Sequence, residues 1–189
     1  LELWSYEVET DTWTPIRQAN RLAIEPWKYA YDASVDRLVA YDAGGRSGGA
    51  RTWLFDLRTG TWSGTSAVTP EFSYGWWGTQ PAIAYDEAAE RTVIAGQGCR
   101  VVAYDATADR WETPYIPALK PAPECRDGRE MVYDPVNERL VAYGGTVYTT
   151  CTWETPDDMW ALDMATRSWA LVVPPTPVPP PLRDLAAGG

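Results

Sequence analysis

The sequence predicts an all-β fold in which a four-stranded antiparallel unit is repeated along the chain. Two short signatures recur in alternation, and no amphipathic pattern with a helical period extends over ten residues. In the first signature a Tyr-Asp pair is followed by Arg five positions after the Asp, and in the second an acidic residue is followed six positions later by Trp. Because the spacing is rigid within each signature and variable between copies, we interpret the signatures as fixed hairpins joined by variable loops.

The first signature occurs three times. Its pairs are Asp32 and Arg37, Asp86 and Arg91, and Asp134 and Arg139. Each copy has two apolar runs of strand length on either side of a polar turn, as in residues 131–145 (MVYDPVNERLVAYGG). We expect each aspartate to close its turn by accepting hydrogen bonds from the backbone amides just ahead of it. These acids are therefore interpreted as turn residues, since a catalytic carboxylate does not require three copies.

The second signature follows each copy of the first and predicts the other two strands of the unit. Its pairs are Asp56 and Trp62, Asp105 and Trp111, and Asp163 and Trp169. A further copy, Glu7 with Trp13, stands near the N-terminus without a first signature before it. One complete unit therefore has four antiparallel strands, a to d, and recurs about every 50 residues.

Four strands at this period resemble the Kelch repeat, including the bacterial type and the central domain of galactose oxidase. The resemblance covers residues 1 to about 175, and the third unit carries it best. The residues that match are Tyr133, Asp134, Arg139, Leu140, Gly144, Gly145 and the closing Trp169. The resemblance implies a β-propeller, in which four-stranded blades pack around a central channel.

Dividing the chain by the signatures leaves one blade incomplete. The expected segments are a half blade of strands c and d (1–16), three blades (17–68, 69–117 and 118–173) and a Pro-rich tail or linker (174–189). Propellers have at least four blades. We therefore expect a partial propeller that is completed by missing blades, by another chain or segment, or by self-association.

Candidate binding residues fall in the b-c and d-a loops, which the resemblance places on one side of the blades. These loops vary in length and carry large aromatic residues, the usual composition of a recognition surface on a rigid scaffold. The candidates are Trp27, Tyr74, Trp76, Trp77, Arg126, Tyr148 and Trp153. Trp76 and Trp77 either form a stacking platform for a ligand or pack beneath their own loop, and both interpretations stand.

The three cysteines belong to the same loops. In a Kelch-like blade a d-a loop enters beside the b-c loop of its own blade, which favours a disulfide between Cys125 and Cys151. A Cys99–Cys125 bond is the runner-up, and three reduced cysteines are the remaining alternative. Either disulfide is typical of an oxidising compartment, so we expect an extracellular or cell-surface protein.

The composition excludes several classes of function. The chain has 189 residues, a net charge of −10 and no histidine. The negative charge argues against binding nucleic acid, and no apolar run is long enough to span a membrane. Without histidine, Ser-His-Asp catalysis and imidazole metal sites are excluded, and we expect neither a metal nor a cofactor.

These observations predict a non-enzymatic recognition or scaffold module that binds a protein or peptide through the loop side. An extracellular carbohydrate-binding propeller, using the same aromatic residues for stacking, is the first alternative. A fragment of a larger propeller enzyme is the second. The copper radical oxidases related to Kelch propellers use histidine ligands, so that chemistry would have to reside in sequence outside this chain.

Overall fold

A computed structural model of the chain describes residues 2–22, 28–42, 49–72, 81–96, 100–112, 122–124, 126, 128–148 and 153–172. Within these ranges the backbone forms 16 strands, and every paired strand runs antiparallel to its neighbour. The described residues include no helix, and so none that could cross a membrane. The all-β prediction is confirmed.

The strands form three four-stranded sheets and two hairpins, which we name as follows. Sheet I contains β3 (Lys28–Asp32), β4 (Arg37–Asp42), β5 (Arg51–Asp56) and β6 (Thr61–Gly64). Sheet II contains β7 (Ala82–Asp86), β8 (Arg91–Ala95), β9 (Val101–Asp105) and β10 (Arg110–Glu112). Sheet III contains β11 (Glu130–Asp134), β12 (Arg139–Tyr143), β15 (Met159–Asp163) and β16 (Ser168–Val172). The N-terminal hairpin pairs β1 (Leu3–Glu7) with β2 (Thr12–Ile16), and the loop hairpin pairs β13 (Val147–Tyr148) with β14 (Trp153–Glu154).

The acidic residues of both signatures lie at the start of the tight turns that join paired strands. Asp56 is representative: its Oδ1 accepts hydrogen bonds from the amides of Arg58 at 3.0 Å and Thr59 at 2.9 Å. The same bond from an amide two or three residues ahead is made by Asp32, Asp86, Asp105, Asp134 and Asp163. The turns thus satisfy backbone donors with a side chain from their own first residue.

The residue four positions after each acid adopts a left-handed backbone conformation. Positive φ angles occur at Asp11, Asp36, Glu90, Asp109, Glu138 and Arg167, and at Gly60 in the Asp56 turn. A residue with a side chain is uncommon in this region, and local hydrogen bonds help to hold it there. At Asp109, for example, the carboxylate accepts a 2.7 Å bond from the hydroxyl of Tyr104, and Asp11 and Asp36 make the same bond with Tyr6 and Tyr31.

Neighbouring sheets pack face to face in chain order. In sheet II the side chains of Ile83, Ile94 and Val102 pack with Tyr41 and Phe72 on the side of sheet I. The opposite face of sheet II packs on sheet III through Val93, Ala95, Ala103, Met131 and Leu140. The N-terminal hairpin covers the remaining face of sheet I with Leu3 and Ile16. Each interior sheet therefore buries both of its faces.

The two interfaces between neighbouring four-stranded sheets differ in their polar contacts: one has a buried hydrogen bond between the sheets, and the other has a buried acceptor without a partner among the described residues. Between sheets I and II the hydroxyl of Thr92 donates a buried 3.2 Å hydrogen bond to Oδ2 of Asp32. Between sheets II and III the corresponding residues are Asp86 and Leu140. The side chain of Leu140 has no group that can donate a hydrogen bond to Asp86. Within the described part of the chain Oδ2 of Asp86 has no hydrogen-bond partner, and burial raises the pKa of this carboxyl.

The inner edges of the sheets converge. Strand β7 packs beside both β3 and β11, although each belongs to a different sheet. Sheets I and III are separated by sheet II, yet Lys28 at the start of β3 forms an ion pair with Glu130 at the start of β11. The stack is therefore wedge-shaped, with its first strands gathered on one side.

We expect Gly60→Ala to lower the free energy of unfolding by about 2–4 kcal/mol, because two costs combine. Gly60 has a φ of +68°, and a Cβ there would lie 2.2 Å from the carbonyl oxygen of Arg17. Gly128→Ala is the matched control, since Gly128 has a φ of +70° and, apart from its chain neighbours, no atom of the described residues lies within 4 Å of the added Cβ. It should cost only about 1 kcal/mol of backbone strain. Chemical denaturation measures both, and equal losses would show that the contact with Arg17 is unimportant.

Candidate functional site

An open cleft of about 530 Å³ lies at the end of sheet I where the β4–β5 and β6–β7 connections emerge. We call this end of the sheets the loop side, and the end with the acidic turns the turn side. The cleft is lined by residues before and at the start of β5 and by residues from the end of β6 onward: Gly49, Ala50, Arg51, Thr52, Trp53, Gly64, Thr65, Ala67, Val68, Thr69 and Glu71. The cleft therefore lies between a b-c loop and a d-a loop, and the d-a loop is the one that holds the candidates Tyr74, Trp76 and Trp77.

The base of the cleft is held by polar contacts between its two walls. The hydroxyls of Thr52 and Thr69 lie 2.7 Å apart and are buried, and the amide of Thr65 donates to the carbonyl of Thr52 at 3.2 Å. Arg51 and Glu71 are exposed and bring charges of opposite sign to the rim. The cleft thus combines a fixed polar base with a charged rim.

The wall formed by residues 69–72 is anchored by contacts with both sheet I and sheet II. Phe72 is buried and packs edge-on against Tyr41, with ring centres 5.8 Å apart. A Cβ at Gly96 would lie 2.3 Å from the Phe72 ring, so only glycine allows this approach. The hydroxyl of Tyr41 donates to the carbonyl of Pro70 at 3.1 Å, and Arg100 donates to the carbonyl of Glu71 at 3.0 Å. The cleft is therefore preformed by contacts between two sheets.

On sheet III the loop side is held by a partly buried ion pair. Arg126 is only 5% exposed, and its Nη1 and Nη2 donate to the two carboxylate oxygens of Asp158, the latter at 3.1 Å. The same guanidinium donates to the carbonyls of Gly144 at 3.3 Å and Glu124 at 3.4 Å, and the indole of Trp160 donates to Asp158 at 2.7 Å. Hydrogen bonding from Arg126 holds the pKa of Asp158 below its ordinary value.

The structure describes only some of the candidate binding residues. Arg126 is turned inward, and its guanidinium joins the segment before β11 to the connection between β12 and β15. Trp153 lies in β14 of the loop hairpin, where it is exposed, and Tyr148 lies in β13 with its side chain outside the description. Outside the described residues are Trp27, Tyr74, Trp76, Trp77, the cysteines Cys99, Cys125 and Cys151, and the tail 174–189. The expectations for these residues stay predictions.

Sequence reasoning missed the cleft and the partner of Arg126. Asp158 directly precedes β15, in the run TPDDMW, and an acid at the start of a buried strand was the available signal. The cleft has no such signal, because Thr52 and Thr69 are ordinary strand and loop residues until the fold brings their hydroxyls together.

Comparison with known proteins gives matches to solved structures only. No protein-family profile and no curated protein matches the chain, so the Kelch resemblance rests on its sequence motifs. Among solved structures the chain is similar to a fungal alcohol oxidase of the AA5 family, in complex with copper, at 13% sequence identity and a TM-score of 0.49. The similarity covers 77% of this chain, which spans 30% of the length of the oxidase.

This comparison contradicts the expectation of a non-enzymatic protein, which is withdrawn, since the matched structure is that of an enzyme. Alcohol oxidation and copper are properties of that protein, and a likeness at this level assigns neither to this chain. The residues present do not fit an imidazole-bound copper site. The sequence has no histidine, and within the described ranges no three acidic or cysteine side chains gather into a metal-binding group.

We expect Asp158→Asn to lower the free energy of unfolding at neutral pH by about 1–3 kcal/mol, because it leaves the buried Arg126 guanidinium without its counter-charge. The folded-state pKa of Asp158 lies below its ordinary value of 3.8, so the stabilisation is complete above that value. It is lost as the pH falls through the lowered folded-state pKa. The difference between wild type and variant should therefore close in acid.

Chemical denaturation between neutral pH and pH 3 measures this difference. Asp157→Asn is the control, since Asp157 is the exposed neighbour of Asp158 and should change stability little at any pH. An Asp158→Asn loss that persisted unchanged in acid would show that the ion pair is not its cause.

Proposed function

We propose that this chain is a sector of a Kelch-like β-propeller whose loop side recognises a protein or peptide. Three features support the propeller arrangement. The four-stranded units repeat in sequence, consecutive sheets pack face to face, and their inner edges converge at Lys28 and Glu130. Stacked four-stranded sheets gathered around one axis are the geometry of propeller blades.

The preformed cleft between the β4–β5 and β6–β7 connections carries the proposal for recognition. Its volume lies within the range of ligand-binding pockets, about 300–1,000 Å³. Its walls are held by the contact between the Thr52 and Thr69 hydroxyls and by the packing of the Phe72 ring against Gly96. These segments therefore lose little conformational entropy when a ligand binds. Residues 73–80, which include the candidates Tyr74, Trp76 and Trp77, follow directly after this wall in the chain.

The chemistry of the cleft favours a peptide. Arg51 and Glu71 place opposite charges at the rim, which matches a ligand with both charged signs and exposed amides, while the overall charge of −10 disfavours a strongly acidic ligand. Aromatic stacking on Trp153 and on the predicted Trp76–Trp77 pair is the feature that a glycan would use instead. A glycan is therefore the competing outcome of the test.

The test selects peptides from a displayed random library on the immobilised chain and measures their affinity by fluorescence anisotropy. We expect Val68→Arg, which places a bulky charge on an exposed residue of the cleft, to weaken binding at least tenfold. Trp76→Ala combined with Trp77→Ala should weaken it as well if the loop aromatics take part.

Val136→Arg is the matched control, because Val136 is equally exposed but belongs to the β11–β12 turn on the turn side. Binding lost equally in both Arg variants would place the peptide elsewhere. Failure to select any peptide, together with a glycan-array signal that Val68→Arg or the double Trp variant abolishes, would replace the peptide proposal by the glycan alternative.

The proposed extracellular or cell-surface location depends on a disulfide among Cys99, Cys125 and Cys151. With one bond formed, the intact mass before reduction should be lower by the mass of two hydrogen atoms, and one thiol should remain available for alkylation. Peptide mapping then distinguishes Cys125–Cys151 from Cys99–Cys125. Three alkylated thiols in native material would remove the support for this location.

A further inference from the structure

Asp86 is a buried acid at the contact between sheets II and III. It is the last residue of β7, and Ala84 and Ala82, two and four positions before it, lie in the core between these two sheets. Because alternate strand residues point to the same side of a sheet, the Asp86 side chain also lies on the side of sheet III. It is 1% exposed, so its carboxylate is enclosed within the chain itself.

Among the described residues only one oxygen of the Asp86 carboxylate is hydrogen-bonded. Oδ1 accepts a bond from the amide of Ala89 at 2.9 Å, whereas Oδ2 is buried without a partner. Asp32 occupies the equivalent position at the contact between sheets I and II, and its Oδ2 accepts a bond from the hydroxyl of Thr92 at 3.2 Å. The contact between sheets II and III therefore lacks one hydrogen bond that its counterpart has.

The position that would supply the missing donor is occupied by Leu140. Thr92 is the second residue of β8 and reaches Asp32 across the contact between sheets I and II. Leu140 is the second residue of β12, is 0% exposed, and belongs to the core between sheets II and III together with Ala84. The two contacts therefore bring equivalent positions together and differ in whether the second one carries a hydroxyl.

No cationic side chain of the described residues pairs with Asp86 either. Arg91 lies opposite Asp86 in the register of β7 and β8. Its guanidinium instead pairs with Asp105 at 2.9 Å and lies 3.7 Å from Glu112. An ionised Asp86 would thus be a buried charge without a counter-charge, which is unfavourable in a protein interior.

The other charged groups on the elements around β7 are acidic or already paired. Glu87, next in the chain, and Asp163, at the end of β15, both disfavour a charge on Asp86. The hydroxyl of Tyr133 in β11 accepts from the amide of Ala88 at 3.2 Å. The remaining groups are the acids Glu90 and Glu138 in the turns, the pairs Lys28 with Glu130 and Arg139 with Asp134, and Asp32 with its donor Thr92.

The sign of the resulting pH dependence follows from these surroundings. Burial, together with repulsion from Asp163 and Glu87, raises the pKa of Asp86 above its ordinary value of 3.8. An acid with a raised folded-state pKa destabilises the fold when it ionises. This penalty is absent below the ordinary pKa, grows as the pH rises towards the folded-state pKa, and is constant above it. Asp158 has the opposite sign, since its contribution is lost in acid.

We propose that the contact between sheets II and III responds to pH through Asp86, which binds a proton in the folded chain. With the proton bound the carboxyl is neutral and the sheets pack tightly. When the proton is released, an unpaired charge is buried between the sheets and the contact loosens. The contact between sheets I and II has no such response through Asp32, because Thr92 supplies a donor there. The response arises on the turn side and does not depend on what the loop side binds.

The test follows the full chain between pH 4 and pH 8 with two measurements. Carbon-13 NMR of the Asp86 carboxyl should give a titration midpoint above the ordinary value of 3.8. Hydrogen exchange should show that the protection factors of amides in β11 and β12 fall as this carboxyl ionises. The protection factors correct for the pH dependence of exchange itself, and those in β3 and β4 should fall less.

Two substitutions of Leu140 form a matched pair. Thr and Val have nearly the same shape, so Leu140→Thr and Leu140→Val remove the same packing, but only Thr adds a hydroxyl at the position equivalent to Thr92. A hydrogen bond to the charged form lowers the pKa of an acid. The titration midpoint of Asp86 should therefore be lower in Leu140→Thr than in Leu140→Val.

Two substitutions of the acids complete the set. Asp86→Asn removes the titrating group and should abolish the pH-dependent fall of protection in β11 and β12. Asp32→Asn is its control at the equivalent position and should leave that fall in place. Circular dichroism checks that every variant is folded.

Three results would overturn the proposal. A wild-type midpoint for Asp86 at or below 3.8 would show that the folded chain does not favour the proton. A fall of protection that persists in folded Asp86→Asn would assign the response to another group. Equal midpoints in the two folded Leu140 variants would contradict the role given to the missing hydroxyl. If neither Leu140 variant folds, wild type and Asp86→Asn decide the test by themselves.

Discussion

The fold depends on one constraint: sheets I and II are apolar on both faces, so both faces of each must be covered. In β8 the adjacent residues Val93 and Ile94 are 0% exposed, and adjacent strand residues point to opposite sides of a sheet. Burying each such side chain is worth about 1.5–3 kcal/mol, and a lone sheet would lose this on both faces. Stacking in chain order supplies the cover, which is why the sequence repeats its apolar positions as well as its turns.

The connections at the two ends of the sheets differ: those on the turn side are short and alike, and those on the loop side vary in length. On the turn side an acid and a left-handed residue four positions later give every hairpin the same short connection, whether the residue is Gly60, Glu90 or Arg167. With the register set there, the connections on the loop side are free to differ in length. They are fixed instead by individual contacts, such as Phe72 on Gly96 and Arg126 on Asp158. This division allows a cleft to form on the loop side without disturbing the sheets.

Much of the fold followed from local sequence. The repeated acids and the strand pairs around them depend on spacings of five or six residues, within reach of pattern reasoning. The loop hairpin was missed because strands of two residues carry no measurable alternation. The ion pair joins residues 32 positions apart and the threonine contact at the base of the cleft joins residues 17 apart, so both depend on how whole sheets pack. One sequence can mark Asp158 as an acid at the start of a strand, but it does not show which distant residue such a side chain will contact.

Asp32 and Asp86 occupy equivalent positions but differ in hydrogen bonding, which limits how far the units can be exchanged for one another. Oδ2 of Asp32 accepts a hydrogen bond from the hydroxyl of Thr92, whereas Oδ2 of Asp86 has no partner among the described residues and the residue that corresponds to Thr92 in sheet III is Leu140. If sheet II were excised so that sheet III followed sheet I directly, Asp32 would lose its donor, and an unmet buried acceptor costs about 1–3 kcal/mol. The units are thus alike in outline but not interchangeable without a loss of stability.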